Sequence, residues 1–177
     1  ASSFGLSMPG LIHSYTSSAD EYRQTGYTIQ RGDLMQFDLG VNLMNYGTDA
    51  KRHAYVLRDG ETDAPHEFKQ AFEESLRIRD LIKKHLKPGK TGVETLEYLY
   101  RKIEEAGYVR QEIEDNVQDT DIIEVNIGMH SVGNLGHDIG PSIWIDQPWL
   151  IQFIHEPSNL FSLEIFTYPT IKEWGGK

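Results

Sequence analysis

Two aspartates eleven positions apart are the residues best suited to chemistry: Asp38 in Leu34-Met-Gln-Phe-Asp-Leu-Gly40 and Asp49 in Tyr46-Gly-Thr-Asp-Ala-Lys-Arg52. Both surroundings read as strands, and the stretch from Asn42 to Gly47 is short enough to return the second strand beside the first. The two carboxylates can then face one another. Such a pair repels unless a cation or a shared proton lies between the groups. Hard oxygen ligands suit a divalent metal such as Mn, Mg, Co or Zn. Taken alone, the pair is also what ordinary turn chemistry leaves at the two ends of a hairpin.

Two later segments add weight. His137 lies between glycines in Leu135-Gly-His-Asp-Ile-Gly140, and Glu164 lies inside the apolar, strand-like run Asn159-Leu-Phe-Ser-Leu-Glu-Ile-Phe166. A glutamate is costly to bury in such a run without a partner, and a metal is one such partner. The bland alternatives are a hydrogen-bonded loop histidine and an edge-strand glutamate facing water. Asp, Asp, His and Glu in this order are harder to assign to accident.

These residues resemble the pita-bread metallopeptidases, the family of methionine aminopeptidase, Xaa-Pro aminopeptidase and prolidase. The resemblance runs from about His13 to the end of the chain. Asp38, Tyr46-Gly47, Asp49 and Arg52 match the family's aspartate strand, loop, second aspartate and following arginine. Gly136-His137-Asp138-Ile139-Gly140 matches its Gly-His-x-x-Gly motif, Glu164 its next ligand, and Lys87-Pro-Gly-Lys-Thr91 its helix connection. The resemblance therefore implies Asp38, Asp49, His137 and Glu164 as metal ligands and His13 as a histidine that helps bind the substrate near the scissile carbonyl. It further implies two divalent ions (Mn, Co, Zn or Fe), and hydrolysis at the N-terminal end of a peptide, with Xaa-Pro bonds favoured, by metal-activated water. Relatives often dimerise, so a homodimer is compatible with it.

Two departures from the family stand out. The family's fifth ligand, a bridging glutamate on a later strand, has no counterpart before Lys177. The expectation is a fragment of one catalytic domain over residues 1–177, incomplete at both ends and holding one metal, unless Glu156 or Glu173 supplies the bridge. Family members also place a substrate-binding histidine seven residues after the ligand histidine. Counted from His137 that position is Trp144, which leaves His155 as a candidate to take over the role. Trp144 and Trp149 would suit an apolar or proline ring. Two other readings compete: a creatinase-like hydrolase that shares the fold without needing metals, and a noncatalytic scaffold. Retention of four ligand types counts against both.

Composition sets the outer limits. A chain of 177 residues with 38% hydrophobic and 11% aromatic residues can bury one good core. A formal charge of -10 disfavours nucleic acid and anionic membranes as partners. No apolar run reaches the ~20 residues of a membrane span. Zero cysteines exclude disulfides and thiolate ligands and fit either redox compartment. The compartment stays open among cytoplasm, periplasm and exterior, with the cytoplasm slightly favoured.

The elements that position these residues follow from periodicity. Met8 to Tyr15 and Tyr27 to Ile29 read as short strands, and the Gln30-Arg-Gly-Asp33 turn feeds the Asp38 strand. A helix runs over Pro65 to Leu86, with Phe68, Phe72, Leu76 and Ile82 on its apolar stripe. Pro88-Gly89 ends it. Thr91 and Glu94 form a capping box for a second helix with Val93, Leu96, Leu99 and Ile103 inward, closed by Gly107. Gln111 to Thr120 reads as an exposed loop, and Ile122 to Ile127 and Leu160 to Phe166 as strands. Strands, helices, then strands again, joined by hairpins, argue for an α+β fold. Of the remaining histidines, His130 could line the pocket but reads more simply as surface or core. His53 reads as packing, and His66 and His85 as facing solvent.

Overall fold

The computed structural model of the chain describes residues 3–7, 29–44, 46–111, 122–134 and 139–171, with 3–7, 37–39, 42 and 134 described by their backbone. A helix pair packs at the core. Helix α1 covers His66–His85, with Pro65 as its N-cap residue. Proline suits that boundary because its missing N–H would have no intrahelical partner there. Helix α2 covers Gly92–Glu105 behind the capping box: the Thr91 hydroxyl accepts from the Glu94 backbone N–H, and the Glu94 carboxylate accepts from that of Thr91.

Leu96, Leu99 and Ile103 of α2 pack with Ile78 and Ile82 of α1, as the helical spacing requires. The two ends of the expected stripes depart from this. Phe72 and Val93 are exposed, whereas Ile78 and Tyr100, absent from the simple stripe, are buried. Tyr100 is held there by its hydroxyl, which donates to the Gln111 carbonyl and accepts the Ile127 N–H.

Against the helices lies a long antiparallel ribbon. Strand β7 (Glu124–Ile127) continues through Gly128 into β8 (Met129–Ser131); β11 (Phe161–Ser162) continues through Leu163 and Glu164 into β12 (Ile165–Tyr168). The register holds throughout: Glu124 faces Tyr168, Ile127 faces Ile165, and His130 faces Ser162. The Gly128 N–H bonds the Glu164 carbonyl in the gap between. Strand β6 (Val109–Arg110) flanks β7 in parallel, and β10 (Ser142–Ile143) flanks β8.

The aspartate strands form a second assembly, β1 (Ser3–Ser7), β2 (Leu34–Leu39) and β5 (Ala50–Tyr55), in the order β1-β2-β5. The expected turn before β2 is present, with the Asp33 carboxylate accepting the Gln30 N–H. The residue opposite Asp38 in the ladder is Lys51, not Asp49. The hairpin between β2 and β5 is longer than a simple turn, and its arms β3 (Asn42–Leu43) and β4 (Tyr46–Gly47) pair with each other before the second aspartate is reached. Segments 8–28 and 112–121, which include most of the expected early strands and acidic loop, lie outside the described residues; Gln111, expected at the start of that exposed loop, is buried, its N–H bonded to the Val125 carbonyl.

Gly92 opens α2 where the helix meets β10. A Cβ there would stand 2.0 Å from the Ser142 carbonyl oxygen and 2.7 Å from that of Ile151. Both obstacles are backbone, so neither can rotate away. Gly92→Ala is expected to destabilise the fold by about 1–3 kcal/mol, the range for overpacking a closed contact. An unchanged urea midpoint would contradict that packing.

Candidate metal centre

Three segments converge on one cluster. Strand β4 pairs antiparallel with β9 (Gly133–Asn134), Gly47 opposite Gly133. Moving forward from Gly47 reaches Asp49, and moving backward from Gly133 reaches His130, so the pairing draws these two together. The β8–β11 ladder supplies the third member: Ser162 faces His130, and Glu164 is two residues further along the same face. Asp49, His130 and Glu164 each offer a ligand atom, all within 4.8 Å of one another.

His130 Nε2 lies 3.3 Å from Asp49 Oδ2 and 3.0 Å from Glu164 Oε1. Its Nδ1 lies 3.3 Å from the Ser131 carbonyl oxygen. Both ring nitrogens therefore face acceptors. A neutral imidazole donates from only one of them, so the arrangement calls for either a second proton on the ring or a cation at Nε2. With Nδ1–H donated to Ser131, the Nε2 lone pair is aimed between two carboxylates, the usual posture of a metal-binding histidine. Two carboxylate oxygens and an imidazole nitrogen form a donor set that suits Mn, Co, Zn or Fe.

A fourth side chain also enters. Lys51, two residues after Asp49 on β5, places Nζ 2.7 Å from Glu164 Oε1, the same oxygen that faces His130. The Ser162 hydroxyl stands 3.5 Å from that oxygen as well. Burial pushes the Glu164 carboxyl up, but the hydrogen bonds from His130 and Lys51 and the charge of Lys51 outweigh it. The net effect holds the carboxyl at about 2, against an ordinary value of 4.5.

Among the residues singled out from sequence, Asp49 and Glu164 meet in this cluster. Asp38 is described by its backbone, at the register position opposite Lys51. His13, His137 and Glu173 lie outside the described residues. Glu156 is exposed in a turn, where its N–H bonds the Asn159 side chain. Trp144 packs over Gly128, its ring 3.5 Å from where a Cβ would stand.

His155 is 2% exposed, its Nε2 3.3 Å from the Ser142 carbonyl and its ring against Phe161. Its backbone N–H bonds Lys90 and its carbonyl accepts from Gly89, pinning the connection between the helices. Burial lowers its pKa from 6.5, against a smaller raising effect of the Ser142 carbonyl. The sign follows directly: below pH 6.5 the unfolded chain takes up a proton that the folded ring resists, so stability falls as pH drops from 6.5 toward the lowered value. His155→Phe is expected to flatten that slope in urea titrations between about pH 5 and 7. An unaltered slope would place the titration elsewhere.

Of the other cluster members, His130 reads from sequence as able to line the pocket but more simply as surface or core, and Lys51 is not singled out there. A signal for the first was available. His130-Ser-Val-Gly133 has the same His-x-x-Gly pattern as His137-Asp-Ile-Gly140, seven residues earlier. Lys51 could have been placed near Asp49 from strand alternation alone.

The comparisons agree with this geometry at the level of family and fold. The profile of metallopeptidase family M24 matches residues 5–177, and the chain belongs to that family. Its fold is the α+β pita-bread fold. The X-Pro aminopeptidase from Thermotoga maritima MSB8 superposes with a TM-score of 0.52 at 17% identity, covering 94% of this chain and 43% of that one. The prolidase from Pyrococcus furiosus gives 0.49 at 21% identity, covering 78% and 37%. The prolidase from Pyrococcus horikoshii OT3 gives 0.49 at 19%, covering 94% and 44%. The chain thus spans less than half the length of these solved structures. No curated protein is similar enough to match it.

Proposed function

We propose that the chain carries the metal centre of a peptidase that hydrolyses bonds at the N-terminal end of peptides, Xaa-Pro bonds first among them. The observation that carries this reading is the convergence of Asp49, His130 and Glu164, with a histidine whose two ring nitrogens both face oxygen. Membership of a metallopeptidase family supports it. The preference for proline rests on the sequence resemblance.

In this reading His130 is the ligand histidine. The substrate-binding histidine expected seven residues further on is then His137, and Trp144 needs no catalytic role. Asp38 completes the carboxylate set from β2. A divalent cation held by these groups supplies Lewis acidity and lowers the pKa of water toward neutrality. The chain's own residues do the rest. The Ser131 carbonyl fixes the His130 tautomer, and Glu164 and Asp49 supply negative charge; the sequence resemblance assigns the contact with the substrate carbonyl region to His13 and, with His130 as ligand, to His137. The peptide is the partner, and a homodimer fits the same reading.

The test is a panel of Ala-Pro, Gly-Pro, Xaa-Pro-Xaa and Met-Ala-Xaa peptides with manganese or cobalt added, on the chain and on a version extended past Lys177. Cleavage should require metal and favour proline-containing peptides by about tenfold or more, a difference of about 1.4 kcal/mol. Metal-dependent cleavage without a proline preference would remove the specificity and leave the peptidase. Absence of metal-dependent cleavage in both versions would sink the proposal.

A further inference from the structure

Lys51 is difficult to reconcile with an ordinary two-metal centre. Its ammonium nitrogen lies 2.7 Å from Glu164 Oε1, and its side chain is 21% exposed while that of Glu164 is 11% exposed. This is an enclosed ion pair rather than a surface one. Glu164 Oε1 also faces His130 Nε2 at 3.0 Å and the Ser162 hydroxyl at 3.5 Å. A carboxylate oxygen has two lone pairs, so a second metal ion reaching this oxygen, beyond one held with His130 Nε2, competes with the Lys51 ammonium and the Ser162 hydroxyl already there.

The β2–β5 register sharpens the point. Lys51 stands opposite Asp38 in the ladder and two residues from Asp49. The ammonium therefore belongs to a strand position flanked by both proposed aspartate ligands, and it contacts the proposed glutamate ligand. Charge points the same way. Asp49 and Glu164 bring two negative charges to the cluster; one divalent ion with the ammonium already exceeds them by one, and a second divalent ion would raise the excess to three. Excess like charge in so small and partly enclosed a volume is costly.

We propose that the Lys51 ammonium is a built-in cation of this centre, standing where a second divalent ion would otherwise be held, so that the chain binds a single metal ion. The inference rests on the metal reading given above. It differs from an account based on a missing bridging glutamate, because it locates the cause inside the described residues. Extending the chain beyond Lys177 should leave the stoichiometry at one while Lys51 is present.

The experiment measures manganese and cobalt binding by calorimetry, with bound metal counted by mass spectrometry after desalting. It compares the wild-type chain, Lys51→Met, which keeps length and loses charge, and Lys51→Arg, which keeps charge. Wild type and Lys51→Arg should hold one ion. Lys51→Met should hold its ion at least tenfold more tightly or take up a second. A wild-type chain with two tightly held ions overturns the proposal, and this outcome decides the matter even if Lys51→Met fails to fold. Equal number and affinity in folded wild type and Lys51→Met also overturns it while leaving the metal centre in place. If neither binds metal and Asp49→Asn changes nothing, the metal reading itself fails, and the proposal falls with it.

Discussion

His130→Ala is expected to weaken manganese or cobalt binding by about 100-fold or more and to reduce peptide hydrolysis to background, with helical circular dichroism unchanged. Loss of even an outer partner of a ligand typically costs 10–100-fold in affinity, and loss of the ligand itself should cost at least as much. The imidazole supplies the nitrogen ligand atom of the cluster, and its Nε2 lies 3.3 Å from Asp49 Oδ2 and 3.0 Å from Glu164 Oε1. His130 lies on β8, away from the packing face of the helices, so the core led by Ile78, Leu99 and Ile127 should survive. His137→Ala makes the contrast. It should leave metal affinity nearly intact and lower turnover by about 10²–10³-fold, the effect of deleting a donor that stabilises a developing oxyanion. Calorimetry with peptide kinetics on both variants separates the roles. Loss of metal in His137→Ala with retention in His130→Ala would reverse the assignment.

Glu164→Gln should have the second largest effect, on folding as well as on metal. The neutral amide is a weaker acceptor for both Lys51 and His130, whose contacts with Glu164 Oε1 are 2.7 Å and 3.0 Å. Breaking a largely buried pair by neutralising one partner costs about 3–5 kcal/mol, and this site sits near the lower end because Lys51 retains some exposure. Urea unfolding in the presence of a chelator reads this cost without any contribution from bound metal. The double variant Glu164→Gln/Lys51→Met should recover most of it, since the charge left without its anionic partner is then removed as well. A single variant as stable as wild type would show that the pair is not enclosed in solution.

The sequence was most informative where local chemistry dominates. The capping box at Thr91 and Glu94, the proline before α1 and the burial of Leu96, Leu99 and Ile103 all follow from short-range rules, and all are present. Asp49 and Glu164 were legible because each is a charged residue in strand-like surroundings. What sequence spacing did not give is register. The β3–β4 hairpin sets a ladder in which Lys51, two residues beyond Asp49, stands opposite Asp38, and spacing alone did not give that register. The choice between two His-x-x-Gly patterns was also a long-range matter. Among the described residues the β4–β9 and β8–β11 pairings bring His130 to Asp49 and Glu164, a meeting that sequence spacing does not give; His137 lies outside them. Phe72 and Val93 were misjudged for a related reason: a helical stripe has edges, and the neighbouring strands decide which edge is covered.

Anomalous diffraction from crystals soaked in manganese or cobalt tests the central claim most directly. The account predicts one strong peak per chain, within bonding distance of His130 Nε2 and of the Asp49 and Glu164 carboxylates, with Lys51 Nζ beside it rather than displaced to solvent. A peak bound by His137 with His130 outside the coordination sphere, or no peak in the cluster at saturating metal, would contradict it.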